Sequence, residues 1–318
     1  MRADLFRDAT GRLRVGWRLL WFAGAFVALA ALGFGLLGGV GLVGQAAVML
    51  MAALVAGWWV LRAADGRAPG ALGFYASPEA PGEAARGLLL GMGVALSAVG
   101  AIALAGGVRW EAESGTLGGV AVEAVRSLAF FAVPAAAEEA LARGYPLQAL
   151  AEAWGPGIAL AVTSVGFGLL HLENPGLTPV AMMNLVAAGL LLGVVYLRTG
   201  SLWWATGVHL GWNWSHGFVA DLPVSGLDLV DAPLWEGAPV GAAWIGGGAF
   251  GPEGSVLTTA VALAASAALW WGPWLSPGEE ARRARPLAPL PRRTVSRAGE
   301  AAEDGDDEGG MATGEGGG

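Results

Sequence analysis

Phe131 to Leu150 reads FAVPAAAEEALARGYPLQAL. Most of this stretch is apolar enough for a membrane core, yet Glu138, Glu139 and Arg143 sit inside it. An ionisable side chain at the centre of a bilayer costs roughly 2.5–3.5 kcal/mol on insertion scales. Such groups therefore face a protein or water-filled interior and mark function. Outward from this stretch, two more polar sites lie in apolar surroundings: His171 in FGLLH, and His209 with Asn213 in HLGWN.

The whole chain supports the membrane reading. It has 318 residues, of which 55% are hydrophobic and 14% charged. Soluble domains carry about 25% charged residues. Glycine, at 53 residues, falls mostly within the apolar runs, as in closely packed membrane helices. Runs of spanning length are found at about 16–39, 42–62, 86–107, 119–143, 157–173, 178–198, 201–220 and 255–275. The expectation is an all-α, polytopic membrane helix bundle of about eight transmembrane helices. Residues 119–152 also read as one long helix, broken by Gly155-Pro156-Gly157. Arginines cluster within 1–18, 62–86 and 282–297, while Arg109 stands alone on the other face. By the positive-inside rule both termini of this cell-membrane protein are expected in the cytoplasm. Residues 1–15 then form a cytoplasmic segment, 16–107 the N-terminal spans, 108–275 a transmembrane core that carries the polar sites and 276–318 a disordered cytoplasmic tail.

The net charge of −8 belongs to that tail. Seven acids lie within 298–318, and without them 19 acids face 18 arginines. No nucleic-acid partner is implied; the expected partners are the lipid bilayer and a membrane peptide or protein. With no cysteine and no lysine in the chain, thiolate nucleophiles, Cys-based zinc sites and Ser-Lys dyads are excluded. There is no HExxH, and no GxSxG-like serine turn. The only Gly-Asp pair, Gly305-Asp306, lies in the acidic tail.

Helical spacing organises what remains. Glu139 and Arg143 are four apart and can pair on one face, with Glu138 rotated about 100° away. Phe167 and His171 share a face, as do His209 and Asn213. Taken alone, a Glu–Arg pair is as often structural as catalytic, a lone His is usually a satisfied core residue, and a membrane Asn usually joins helices. Phe167 and His216 read as packing, and Glu123 and Arg126 as interface charges. Together, however, the six polar residues supply both halves of amide hydrolysis. A poorly solvated carboxylate is a general base, and imidazole and amide N–H groups can donate to an oxyanion.

In order, Glu138-Glu139-x-x-x-Arg143, Phe167-x-x-x-His171 and His209-x-x-x-Asn213 resemble the three-motif signature of the CPBP family. These are the CAAX-protease and bacteriocin-processing intramembrane proteins, also called Abi-domain proteins. The resemblance implies an intramembrane endopeptidase. Glu138 would activate water with help from His171. His209 and Asn213 would stabilise the oxyanion, and Glu139 and Arg143 would orient the site. It also leaves open a bacteriocin-immunity-type or scaffold protein that binds a peptide in the same pocket. No cofactor is favoured, although two histidines and one or two glutamates also make a zinc set with a water in the open position. Glu138 is expected near the cytoplasmic end of the fourth span.

Overall fold

Apolar runs become helices in the computed structural model, which describes residues 5–8 and 11–284. The helices are α1 (Val15–Leu37), α2 (Leu42–Ala64), α3 (Ala80–Leu104), α4 (Leu117–Glu139), α5 (Tyr145–Trp154), α6 (Pro156–Leu169), α7 (Pro179–Thr199), α8 (Leu202–Trp214), α9 (Ala243–Gly246), α10 (Val256–Trp271) and α11 (Glu279–Ala284). One two-stranded antiparallel sheet, β1 (Val108–Ala112) with β2 (Trp235–Pro239), clips the 220–254 segment to the end of α3. The fold is otherwise all-α.

Five helical stretches have the length and hydropathy to cross a membrane: Val15–Leu37, Leu42–Ala64, Ala80–Leu104, Leu117–Trp154 and Pro179–Thr199. Pro156–Leu169 and Val256–Trp271 are apolar but shorter. The stretches expected to span at 157–173, 201–220 and 255–275 are thus helical but short. The first stops at Leu169 because the chain turns through Asn174, Pro175 and Gly176, the last at φ +71°. Outward faces of the long helices expose Leu20, Val27, Leu32, Leu36, Leu89 and Val125, as a lipid-facing surface requires.

Side-chain caps start several helices. Thr116, Thr178 and Ser201 accept from the backbone N–H of Gly119, Ala181 and Trp204. Thr178→Ala is expected to lower stability by about 1 kcal/mol, seen as an earlier thermal melt of the detergent-solubilised protein.

At one end of the bundle Asp65, its side chain fully buried, accepts from Arg12 and Arg18 at 2.6 Å each and from the Tyr145 hydroxyl at 2.8 Å. Glu152 pairs with both arginines at 2.7 and 2.9 Å. Two arginines of the 1–18 cluster are therefore bonded parts of the α1–α2–α5 junction. At the other side of the core α3 and α8 meet through Gly87, Gly91, Gly207 and Gly211, where backbone lies against backbone. Beyond α10, within the stretch read as disordered tail, α11 buries Ala281 completely. The rest of that tail, from 285 on, lies outside the described residues.

Candidate active site

Two departures from simple helix set the level of the site. After Glu139 the chain makes one π-helical turn, Ala140–Gly144, and continues as α5. Pro146 has no N–H to bond back into the preceding turn, and a wider turn tolerates that loss. Gly155, at φ +87°, then reverses the chain into α6. Glu138 lies 17 residues before this reversal and His171 lies 16 after it. At 1.5 Å per residue both stand about 25 Å from the turn, so the hairpin brings them level. Glu138 is therefore near the middle of a 38-residue helical stretch.

Glu139 is the buried hub. Its Oε1 accepts from Arg143 Nη1 at 2.9 Å and from His209 Nδ1 at 2.9 Å. Arg143, with no exposure, also donates to the Gly189 carbonyl at 3.0 Å. Its guanidinium lies 4.4 Å over the Phe167 ring. Phe167 in turn packs against both imidazoles, with centroids 4.9 Å from His171 and 5.9 Å from His209. One ring thus spaces the arginine from two histidines.

Glu138 points the other way, with its side chain 29% exposed. Its Oε2 lies 3.9 Å from His171 Nε2 and 3.8 Å from His209 Nε2. These gaps are too long for direct hydrogen bonds, but a water about 2.8 Å from each atom of a pair spans them. The other ring nitrogens are committed. His171 Nδ1 lies 2.8 Å from the Phe167 carbonyl, which can only accept, so Nδ1 carries the proton. His209 Nδ1 likewise donates to Glu139. In a neutral ring of either kind, Nε2 faces Glu138 with a lone pair.

Glu138, His171, His209 and half-buried Asn213 line one cavity of about 360 Å³. Its remaining walls are largely apolar, including Met49, Phe131, Pro134, Leu185 and Leu192. Glu139 and Arg143 are not at its surface and sit behind it. Glu123 and Arg126 pair at 3.3 Å beside a second hollow that shares Phe130 and Leu229 with the first. Four further polar residues line the main cavity without having been singled out from sequence: Gln45, Asn174, Ser225 and Glu253. Among the described residues no group of three or more His, Cys, Asp or Glu is spaced to hold a metal ion.

The family model described as type II CAAX prenyl endopeptidase Rce1-like matches residues 121–215. The chain carries an Rce1-like domain. That domain runs from the first turns of α4 to the end of α8 and contains all six candidate residues. The match supports, at a coarse level, a membrane protease. No curated protein and no solved structure matches the chain. The 220–254 segment, which supplies Ser225 and Glu253, lies beyond the Rce1-like match.

Proposed function

We propose that the protein hydrolyses a peptide bond in a membrane-associated peptide or protein, using a water activated by Glu138. The observation that carries this reading is the convergence of His171 Nε2 and His209 Nε2 on Glu138 Oε2, at the polar end of an apolar cavity. A water there gives its proton to Glu138 as its oxygen attacks the scissile carbonyl carbon. His171 holds that water. The carbonyl oxygen, now an alkoxide, is stabilised by the Asn213 amide and by His209. Because His209 Nδ1–H is given to Glu139, Nε2 donates only when the ring carries a second proton, and Glu139 is the counter-charge for that state. Collapse breaks the C–N bond, and Glu138 returns its proton to the leaving amine. Glu139 and Arg143 act by holding the His209 ring.

Zinc fits the site less well. Ligands at about 2.0–2.1 Å in a tetrahedral set stand closer together than the 3.8 and 3.9 Å found here. Treatment with 1,10-phenanthroline is expected to leave the cleavage rate within about twofold, which a fluorogenic assay reads directly. A loss restored by zinc would assign the water to a metal.

The cavity sits in a chain whose arginine clustering supports cytoplasmic termini. The decisive experiment compares membrane peptidomes from cells making the parent protein and Glu138→Ala. Cleavage products confined to the parent are expected. Identical peptidomes, with a peptide co-purifying equally with both proteins, would instead indicate a binding scaffold.

A further inference from the structure

Glu253 is a buried acid with no part in the steps above. It is 4% exposed, lies at the cavity wall and comes from the segment beyond the matched domain. Its Oε1 accepts from Trp212 Nε1 at 2.7 Å. Its Oε2 accepts from the Ser225 backbone N–H at 2.8 Å and from the Ser225 hydroxyl at 2.6 Å. Both oxygens thus accept from protein donors on two different elements.

The two partners lead to the two catalytic histidines. Trp212 lies on α8 between His209 and Asn213, next to the latter in sequence. The Ser225 carbonyl accepts from Asn174 Nδ2 at 2.9 Å, and the Asn174 N–H donates to the His171 carbonyl at 3.1 Å. Ser225 has φ +50°, a backbone state uncommon for a residue with a Cβ and sustained only by its surroundings. Here two bonds from one carboxylate hold it. The carboxylate itself is anchored, since Asn184 on α7 donates to the backbone carbonyls of Glu253 and Ser255 at 2.7 Å each.

We infer that Glu253 is a positioning residue that clamps the turn carrying His171 to the helix carrying His209 and Asn213. The two imidazoles come from separate elements, and no hydrogen bond joins them directly among the described residues. Their shared aim at Glu138 depends on this bridge. Glu253→Gln keeps the shape but turns an NH₂ group toward one of the donors, which opens one arm of the clamp.

The chain has no cysteine, so single nitroxide labels can be placed cleanly. Leu172→Cys reports on the His171 turn, and Leu20→Cys, on α1 beside the Asp65 junction, is the remote control; both positions are exposed. In the Glu253→Gln background the spectrum at 172 is expected to gain a mobile component while that at 20 stays unchanged. The kinetic arm rests on the proteolytic reading and uses a quenched, farnesylated CAAX peptide. There kcat is expected to fall about 10–100-fold with KM within about twofold, the size typical of lost supporting contacts. An unchanged spectrum at 172, equal loosening at both labels, or a kcat within threefold of the parent each overturns the inference. If the parent itself leaves this peptide intact, the proposed reaction fails on that substrate, and the labels alone decide the role of Glu253.

Discussion

Glu138→Gln is expected to reduce turnover at least about 10³-fold while leaving the protein folded. A positioned general base contributes about 10²–10⁴-fold, and here the same carboxyl would return the proton to the leaving amine, so both halves of the reaction suffer. The amide has the same shape, and the cost to the fold is small because the Glu138 carboxylate holds nothing in place. Its Oε2 is buried without a hydrogen-bond partner, and both imidazoles stand beyond direct bonding distance. Glu139→Gln is the informative contrast. Its Oε1 serves Arg143 and His209 together, so this change disturbs a fully buried ion pair and is expected to lower stability as well as rate. Single-turnover cleavage and thermal melts of the two variants separate the roles. A Glu138→Gln protein with more than a tenth of parental activity would remove Glu138 from the chemistry.

The difference between these neighbours marks how far local reasoning reaches. The Glu139–Arg143 pair was legible because residues four apart on a helix must meet. The bond from Glu139 to His209 spans 70 residues and depends on how α8 packs, which no local pattern specifies. The course of the chain past the site escaped local reasoning for a related reason. A charged Arg143 suggested the end of a span, but the π-helical turn at 140–144 lets α4 run on into α5, and the Arg143 guanidinium bonds to Glu139 and Gly189 and lies over Phe167. His171 was read as the last turn of a helix and instead occupies the turn after α6, where its backbone N–H bonds to Gly168. Glu253 gave no signal at all. A single acid in a glycine-rich loop has neither periodicity nor a motif, and its importance arises only when that loop folds back against α7 and α8.

Glycine abundance pointed to tight packing, but where that packing is tightest emerged only from the pairing of α3 with α8. The two helices carry Gly87-x-x-x-Gly91 and Gly207-x-x-x-Gly211, the spacing that lets membrane helices approach to backbone contact. A Cβ on Gly91 would stand 2.1 Å from the Val208 carbonyl oxygen, and one on Gly211 would stand 2.2 Å from that of Leu88. The obstacles are backbone atoms, so no rotamer change relieves them, and α8 must move off α3 by an amount on the order of 1 Å. Overpacking of this kind costs about 1–3 kcal/mol when side chains can yield; with backbone on both sides, Gly211→Ala is expected to exceed that range. His209 and Asn213 flank Gly211 on the same helix, so the displacement also stretches the 2.9 Å bond from His209 to Glu139. Protein that survives extraction should therefore show at least about a 10²-fold loss of rate, the scale of a 1 Å misplacement near reacting groups. Gly93→Ala on α3 is the matched control: its Cβ would meet nothing within 4 Å, and alanine is favoured over glycine in a helix by about 1 kcal/mol. A Gly211→Ala protein that melts and cleaves like Gly93→Ala would mean that α8 is free to shift without disturbing His209.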